Sequence, residues 1–191
     1  MSVTAIVLAT DPGSGFTSPK YTTVVRGQRL IDRSIATVRT WPVDDIVVVL
    51  GPDADQVMEE VDLADVTVII DPEWAEGTAA SLRASLDLVS RDRAVRRIVL
   101  AQADQPDVPA EIIDQLIGAS SGVDVVVPKY RYAVGWPIVL GRATWDLFLG
   151  LEGDLDVHGV LTAHDASTEE VWLDRLAPVR YRTASDLPGN R

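Results

Sequence analysis

The segment Arg97-Ile-Val-Leu-Ala-Gln-Ala-Asp-Gln-Pro106 is typical of a buried β-strand that runs into an acid, Asp104, and is stopped by a proline. In an open parallel sheet, ligands bind outside the carboxyl ends of the strands. A carboxylate at that edge is suitably placed to hold a divalent cation against phosphate oxygens. An acid after a strand is also an ordinary turn former or helix cap. The segment alone leaves both interpretations open.

Short β-branched runs alternate with helical stretches on both sides of this segment. Strands are predicted over residues 5–9, 46–50, 66–70, 98–103 and 123–127, and helices over residues 30–38, 54–61, 77–90 and 109–117. Such alternation, with continuous apolar strands, predicts an α/β fold of three layers, Rossmann-like, with a mostly parallel sheet and helices on both faces. After Pro128, strands are predicted over residues 135–140, 171–173 and 179–182. They favour a mixed extension of the same sheet, so we expect residues 1–191 to form a single domain.

The composition excludes several classes of function. The net charge is −12, which argues against a nucleic-acid partner because such proteins carry basic stripes. No apolar run approaches the length of about 20 residues that spans a bilayer, so no membrane association is expected. There are no cysteines, which excludes disulfides, thiolate zinc sites and a cysteine nucleophile. A cytoplasmic protein is the expectation.

Several blocks of the chain occur in an order that is known from one family. They are Asp71-Pro-Glu-Trp-Ala-Glu-Gly-Thr-Ala-Ala-Ser-Leu-Arg-Ala-Ser-Leu86, Ala103-Asp-Gln-Pro106, Val127-Pro-Lys-Tyr130, Gly135-Trp-Pro137 and Gly153-Asp154. In these blocks the chain resembles the MobA-like nucleotidyltransferases, and most closely the branch that contains molybdenum cofactor cytidylyltransferase. The first block is similar to the pattern N-x-x-W-x-x-G-x-x-x-S-L-R-x-x-L, and the second matches an x-D-Q-P metal site.

The resemblance implies a GT-A-type nucleotidyltransferase fold and a magnesium-assisted reaction. A CTP-type nucleoside triphosphate would donate its nucleotidyl group to a phosphorylated pterin-type acceptor such as molybdopterin. Under this interpretation Asp104 is catalytic and holds Mg²⁺, and Lys20 steadies a phosphate. The implied nucleotide-binding residues are Leu8, Ala9, Thr10, Asp11, Gly13, Gly15 and Lys20, and the implied substrate-binding residues are Gly77, Ser81, Arg83 and Gly135.

The first loop departs from the family pattern L-A-A-G-x-S-x-R-M-G-x-x-K. The chain keeps the loop length and Lys20, but Asp11 replaces a glycine and Gly15 replaces the arginine. Asp11 brings negative charge toward a triphosphate, and the lost arginine removes a bidentate phosphate clamp. We therefore expect weakened triphosphate binding in this loop.

The second departure lies near the C-terminus, where the family pattern D-x-D-T-P-E-D-L has acids close to the metal. Arg180 and Arg182 align with the two leading acids, so a second metal carboxylate would have to come from Asp154 or Asp156. Arg182 paired to Asp104, or Asp11 filling the triphosphate path, would count against catalysis. If the enzyme were competent, Asp104→Ala would abolish turnover and leave stability nearly unchanged or improved.

Three functions are therefore open. The first is nucleotidyl transfer, and the second is a catalytically lapsed relative that binds a ligand or a partner such as a molybdoenzyme. The third is another small-molecule enzyme on the same scaffold. Individual residues also have plainer interpretations: Lys20 as a solvated cation, Arg83 as a surface residue and Trp74 as a core residue.

Overall fold

Residues 2–154 and 166–188 are described by a computed structural model of the chain. The strands are β1 (Ser2–Ala9), β2 (Val24–Val25), β3 (Gln28–Arg29), β4 (Asp45–Leu50), β5 (Thr67–Ile70), β6 (Val95–Gln102), β7 (Val125–Tyr130), β8 (Ile138–Gly141) and β9 (Thr168–Leu173). The α-helices are α1 (Leu30–Val38), α2 (Ala54–Glu60), α3 (Thr78–Ser90), α4 (Ala110–Ala119) and α5 (Trp145–Phe148). Within these ranges, no helix is long and apolar enough to cross a membrane.

A mostly parallel sheet forms the centre of the fold. Its strand order among the described residues is β5-β4-β1-β6-β8-β7-β9. Only β8 runs against its neighbours in this sheet, pairing antiparallel with β6 and with β7, while β7 and β9 are parallel. The predicted mostly parallel α/β sheet with a mixed extension is therefore confirmed.

Helices cover both faces of the sheet because consecutive strand residues point to opposite sides. In β1, the side chains of Ala5, Val7 and Ala9 enter one core cluster with α1, α2 and α4. Ile6 and Leu8 enter the other cluster, which contains α3 and α5. Both faces of β1 are therefore packed in apolar surroundings, which explains why the hydrophobic run in its sequence is unbroken.

The segment over residues 179–182 is not a strand, contrary to prediction. It crosses the carboxyl edge of the sheet instead of joining it. Its backbone bonds go to loops: the Tyr181 N–H donates to the carbonyl oxygen of Asp104 (2.8 Å), and Thr183 forms an isolated bridge with Ser14. The hydrogen-bond partners of this segment depend on the tertiary fold, which local sequence does not specify. This crossing segment brings two arginines to the site.

Candidate functional site

A cavity of about 560 Å³ lies at the carboxyl edge of the sheet, beside the ends of β1 and β6. Its walls come from the loop after β1, the start of α3 and the crossing segment. The residues that line it include Thr10, Asp11, Trp74, Gly77, Gln102, Trp136, Asp154, Arg180 and Arg182. This edge is where open α/β sheets bind ligands. The cavity is therefore the candidate site, and we call it the cleft.

Four charged side chains form a continuous row behind and beside the cleft. The ammonium of Lys20 lies 3.0 Å from Asp11 Oδ2 and 2.9 Å from Asp104 Oδ2. The guanidinium of Arg180 donates from Nε to Asp104 Oδ1 (2.8 Å) and from Nη2 to Asp104 Oδ2 (3.0 Å). Asp104 is 1% exposed, and the Lys20 side chain is fully buried. We call Asp11, Lys20, Asp104 and Arg180 the charge row.

The charge row does not fit a divalent cation. Both carboxylate oxygens of Asp104 are already bonded to cationic side chains, and Mg²⁺ requires such oxygens as direct ligands. Residues 2–154 and 166–188 contain no group of three or more acidic or histidine side chains able to hold a metal ion. Asp154, one of the two possible second carboxylates, lines the cleft, and Asp156 lies outside the described residues. The interpretation of Asp104 as a metal ligand is therefore not supported by its surroundings.

The arginine that pairs with Asp104 is Arg180, and not Arg182 as the sequence had led us to consider. Arg180 and Arg182 stand two residues apart in the crossing segment, on either side of Tyr181. Both line the cleft, while Tyr181 between them is 2% exposed and belongs to the core. The alternation in Arg180-Tyr181-Arg182 was the one sequence signal that could have indicated this arrangement.

The loop after β1 is folded around the Asp11 carboxylate. Asp11 Oδ1 accepts a hydrogen bond from the Gly13 N–H (2.8 Å), while Oδ2 is paired with Lys20. Gly13 has a φ of +67°, and a Cβ there would lie 2.7 Å from the Phe16 ring and 2.9 Å from the Arg182 carbonyl oxygen. The loop therefore requires glycine at this position. Its own carboxylate holds a backbone N–H and the lysine, which are the kinds of donor that bind phosphate.

The pKa of Asp11 is shifted by these contacts. Burial, the largest single influence, raises it, but the Gly13 N–H bond and the Lys20 ammonium together bring the pKa below its ordinary value. Asp11 therefore stabilises the folded state above its ordinary pKa, and this contribution is lost as the pH falls through the lowered value. At neutral pH the carboxylate is charged, and the row is held together by alternating charges.

The other residues of the predicted nucleotide loop have mainly structural surroundings. Leu8 and Ala9 are buried at the end of β1, and Gly15 has a φ of +73°. The Thr10 hydroxyl lies 3.1 Å from the Ser81 hydroxyl, which itself donates to Asp71 Oδ2 (2.7 Å). Ser81 is therefore part of a buried polar network beneath the cleft. Its side chain stabilises the walls and does not line the cavity.

The start of α3 is in contact with the loop around Gly153. Gly77 has a φ of +106°, and a Cβ at this position would lie 2.2 Å from the Gly153 carbonyl carbon. The Ala79 N–H donates to the Gly153 carbonyl oxygen at 3.1 Å. One backbone N–H of this helix N-terminus is therefore used in a hydrogen bond within the protein. Gly77 and Thr78 nevertheless line the cleft.

Two predicted substrate residues lie elsewhere. Arg83 lines a separate cavity of about 640 Å³ with residues 149–153, and it donates from Nη1 to the Leu151 carbonyl oxygen. The two members of the charge row that line the cleft, Asp11 and Arg180, do not line this second cavity, so we assign the chemistry to the cleft. Gly135 packs against the Tyr130 ring, with its would-be Cβ 3.0 Å away. Its neighbour Trp136, which the sequence analysis did not select, lines the cleft instead.

Comparison with known proteins agrees with this architecture. The model of the MobA-like NTP transferase domain matches residues 5–168. No curated protein sequence matches the chain.

Solved structures extend the agreement to the whole fold. The Mycobacterium sp. strain JC1 homologue of Mycobacterium tuberculosis Rv0371c is 27% identical, with a TM-score of 0.85 over 96% of this chain and 92% of that one. Rv0371c from M. tuberculosis H37Rv in complex with manganese is 24% identical, with a TM-score of 0.84 over 97% and 96%. A nucleotidyl transferase from Methanothermobacter is 22% identical, with a TM-score of 0.80 over 97% and 94%.

Proposed function

We propose, since the chain belongs to the MobA-like NTP transferase family, that its cleft binds a nucleotide but does not carry out metal-dependent nucleotidyl transfer. One observation carries this proposal: both oxygens of the Asp104 carboxylate are bonded to cationic side chains of the protein itself. Nucleotidyl transfer of this type depends on positioning and on charge neutralisation by metal and basic groups. In this chain the carboxylate that would hold the metal is already neutralised.

A metal ion at Asp104 would have to displace a bonded arginine. To coordinate a cation, Asp104 would have to release Arg180 from a bidentate pair whose acid is almost completely buried. Removing one partner of a buried ion pair costs about 3–5 kcal/mol when the other charge stays unpaired. That range is an upper bound for this exchange, because the incoming cation would itself pair with the carboxylate and the Arg180 side chain is 26% exposed. Competition with Arg180 therefore lowers the affinity of this position for Mg²⁺.

The cleft nevertheless keeps the features expected of a nucleotide site. Its volume of about 560 Å³ lies within the usual range for small-molecule pockets. Trp74 and Trp136 are both partly exposed on its walls, and an aromatic face can stack on a base. Arg180 and Arg182 offer guanidinium groups that suit phosphate oxygens. A planar ring with a phosphate group therefore matches the cleft better than an uncharged ligand does.

A second function is favoured by the retained family blocks. The Gly77 helix start lines the cleft, and Asp104 of the Ala103-Asp-Gln-Pro106 block is bonded to Arg180, which lines it as well. In this alternative, a CTP-type donor transfers its nucleotidyl group to a phosphorylated pterin-type acceptor such as molybdopterin. The product would serve a molybdoenzyme. This reaction requires Arg180 to leave Asp104 when the substrates bind.

Calorimetric titration with CTP, GTP and ATP distinguishes the two functions. Each nucleotide is titrated with Mg²⁺, with Mn²⁺ and with EDTA, and pyrophosphate release is followed in parallel. We expect one nucleotide to bind at micromolar concentration in EDTA, with no pyrophosphate released under any condition. Binding that appears only with metal, together with pyrophosphate release on adding a phosphorylated pterin, would establish the transferase instead. Failure of all three nucleotides to bind folded protein would refute the proposed function.

A further inference from the structure

The backbone of the crossing segment, residues 179–182, holds Arg180 in place in addition to its side-chain bonds. The Tyr181 N–H donates to the carbonyl oxygen of Asp104 at 2.8 Å, so the backbone beside Arg180 is bonded to the same residue as its guanidinium. Tyr181 is buried in the core next to it. The segment is also tied to the first loop, because the Ser14 N–H donates to the Arg182 carbonyl oxygen at 3.3 Å. Arg180 is therefore a built-in part of the site and not a mobile surface arginine.

The charges of the row cancel without any metal ion. Asp11 and Asp104 contribute two negative charges, and Lys20 and Arg180 contribute two positive charges, each acid lying between 2.8 and 3.0 Å from a base. Adding a divalent cation would leave a net positive charge at a buried position, where uncompensated charge is expensive. If Arg180 were absent, the remaining row would carry a negative charge. The arginine thus supplies the positive charge that a metal ion would otherwise bring.

The guanidinium of Arg180 also faces the cleft. Its Nε and Nη2 bond to Asp104, yet the Arg180 side chain is 26% exposed and lines the cleft beside Arg182. A guanidinium held on one edge by a carboxylate is oriented, and an oriented guanidinium binds phosphate with less loss of side-chain entropy. Arg180 and Arg182, which both line the cleft, therefore present a pair of phosphate donors to the cavity.

We infer that Arg180, fixed on Asp104 and assisted by Arg182, takes the place of the divalent cation and directly receives the phosphate group of the ligand. This inference rests on the proposed function, because it specifies how the same cleft holds a phosphate. Binding at this subsite is independent of metal. Asp104, which is also bonded to Lys20, holds the arginine in position, and Arg180 and Arg182 contact the phosphate.

The first experiment measures Mn²⁺ binding to the whole chain by the loss of the free-ion EPR signal. We expect the wild-type protein to show no site at micromolar Mn²⁺. Arg180→Asp removes the cation and adds a second carboxylate beside Asp104, so we expect it to bind Mn²⁺ at least about tenfold more tightly. Arg182→Asp makes the same charge change in the same cleft while leaving the Asp104 pair intact, and we expect no such gain. Mn²⁺ binding by the wild type, or no gain in folded Arg180→Asp protein, would overturn the inference.

The second experiment measures binding of inorganic pyrophosphate and of CTP in EDTA. We expect Arg180→Gln to weaken both by roughly 10- to 100-fold, and Arg182→Gln by a smaller factor. The control is Arg131→Gln, whose partner is the exposed Asp174, and we expect it to bind like the wild type. Circular dichroism confirms folding. Arg180→Lys keeps the charge but loses the bidentate geometry, so its affinity for both probes should lie between those of the wild type and of Arg180→Gln.

The outcomes separate this inference from the proposed function. Pyrophosphate binding that Arg180→Gln abolishes, without binding of any nucleotide, supports the phosphate subsite and refutes the nucleotide function. CTP binding that Arg180→Gln leaves unchanged supports the function and refutes the inference. If neither probe binds to folded wild-type protein, both are refuted.

Discussion

The substitution Asp104→Asn is the most direct test of the charge row. It keeps the size and shape of the side chain but removes the negative charge between Lys20 and Arg180. The sequence alone suggested that losing this acid would leave stability nearly unchanged or improved. The geometry reverses that expectation, because the carboxylate of Asp104 is 1% exposed and is bonded to two cations. We expect the variant to be clearly destabilised.

The magnitude follows from the partners that remain. Removing one member of a buried ion pair costs about 3–5 kcal/mol. Lys20 retains Asp11 at 3.0 Å, and Arg180 is 26% exposed and can be partly solvated, so we expect a value near the lower end, about 3 kcal/mol. For a chain of this size, 1 kcal/mol corresponds to about 2–4 °C in Tm. The melting temperature should therefore fall by roughly 6–12 °C.

Urea unfolding at neutral pH, followed by circular dichroism, measures this change. The midpoint should fall while the slope with urea stays constant, since the surface exposed on unfolding is unchanged. The control is Asp174→Asn, which breaks the pair with Arg131 at a side chain that is 92% exposed. Such a pair contributes at most about 1 kcal/mol. A loss below about 1 kcal/mol in Asp104→Asn, equal to the control, would show that the row is not a buried ion-pair network.

Three further expectations concern one residue that lines the cleft, Gly77, and two buried residues, Ser81 and Tyr21. Gly77→Ala should destabilise the fold by more than about 1 kcal/mol and change nucleotide binding, because its Cβ would lie 2.2 Å from Gly153. Ser81→Ala should cost about 1–3 kcal/mol by removing a buried hydrogen bond to Asp71. The pKa of Tyr21 is raised well above its ordinary value by burial and then by the nearby acids, so stability should fall as the pH rises above about 10. Urea unfolding measures the first two, and phenolate absorbance across an alkaline titration measures the third.

Each of these has its own control. Gly118→Ala in α4 meets no atom within 4 Å, and we expect it to be neutral or slightly stabilising by up to about 1 kcal/mol. Ser90→Ala removes an exposed hydroxyl at the end of α3 and should change stability by less than about 0.5 kcal/mol. Equal effects at both glycines, or at both serines, would contradict the contacts described. For the third expectation, the control is Tyr21→Phe. This variant should lack the one phenol that ionises only when the protein unfolds, and a phenolate titration identical to that of the wild type would contradict the raised pKa of Tyr21.

The main features of the fold could be predicted from the sequence because they follow from local patterns. Continuous apolar runs such as the one before Asp104 correctly predicted parallel strands covered on both faces. The order of the strands could not be obtained in this way, and neither could the path of residues 179–182. That segment has the composition of a strand, yet the N–H of Tyr181 donates to the carbonyl oxygen of Asp104, which lies in a turn. The partner of an extended segment is a long-range choice that local composition does not specify.

Prediction of the site was less complete. The resemblance selected Asp104, Lys20 and Asp11, and the structure brings these three side chains together. It also selected Arg83, which lies in a neighbouring cavity, and it left out Trp136. The sequence analysis considered Arg182 as the partner of Asp104, but the partner is Arg180. Alignment along the chain identifies residue types, but it does not say which of two alternating arginines points at a given carboxylate.

The sequence by itself determined the family blocks, the three-layer architecture and the replacement of two acids by arginines near the C-terminus. Only the tertiary structure decided that one of these arginines, Arg180, closes the buried row with Asp104, Lys20 and Asp11. Asp11 and Lys20 come from the loop after β1, Asp104 from the turn after β6, and Arg180 from the crossing segment. Their charges cancel only because the carboxyl edge of the sheet brings them within 2.8–3.0 Å and buries Lys20 and Asp104. Electrostatic energy depends on distance and burial and not on position in sequence.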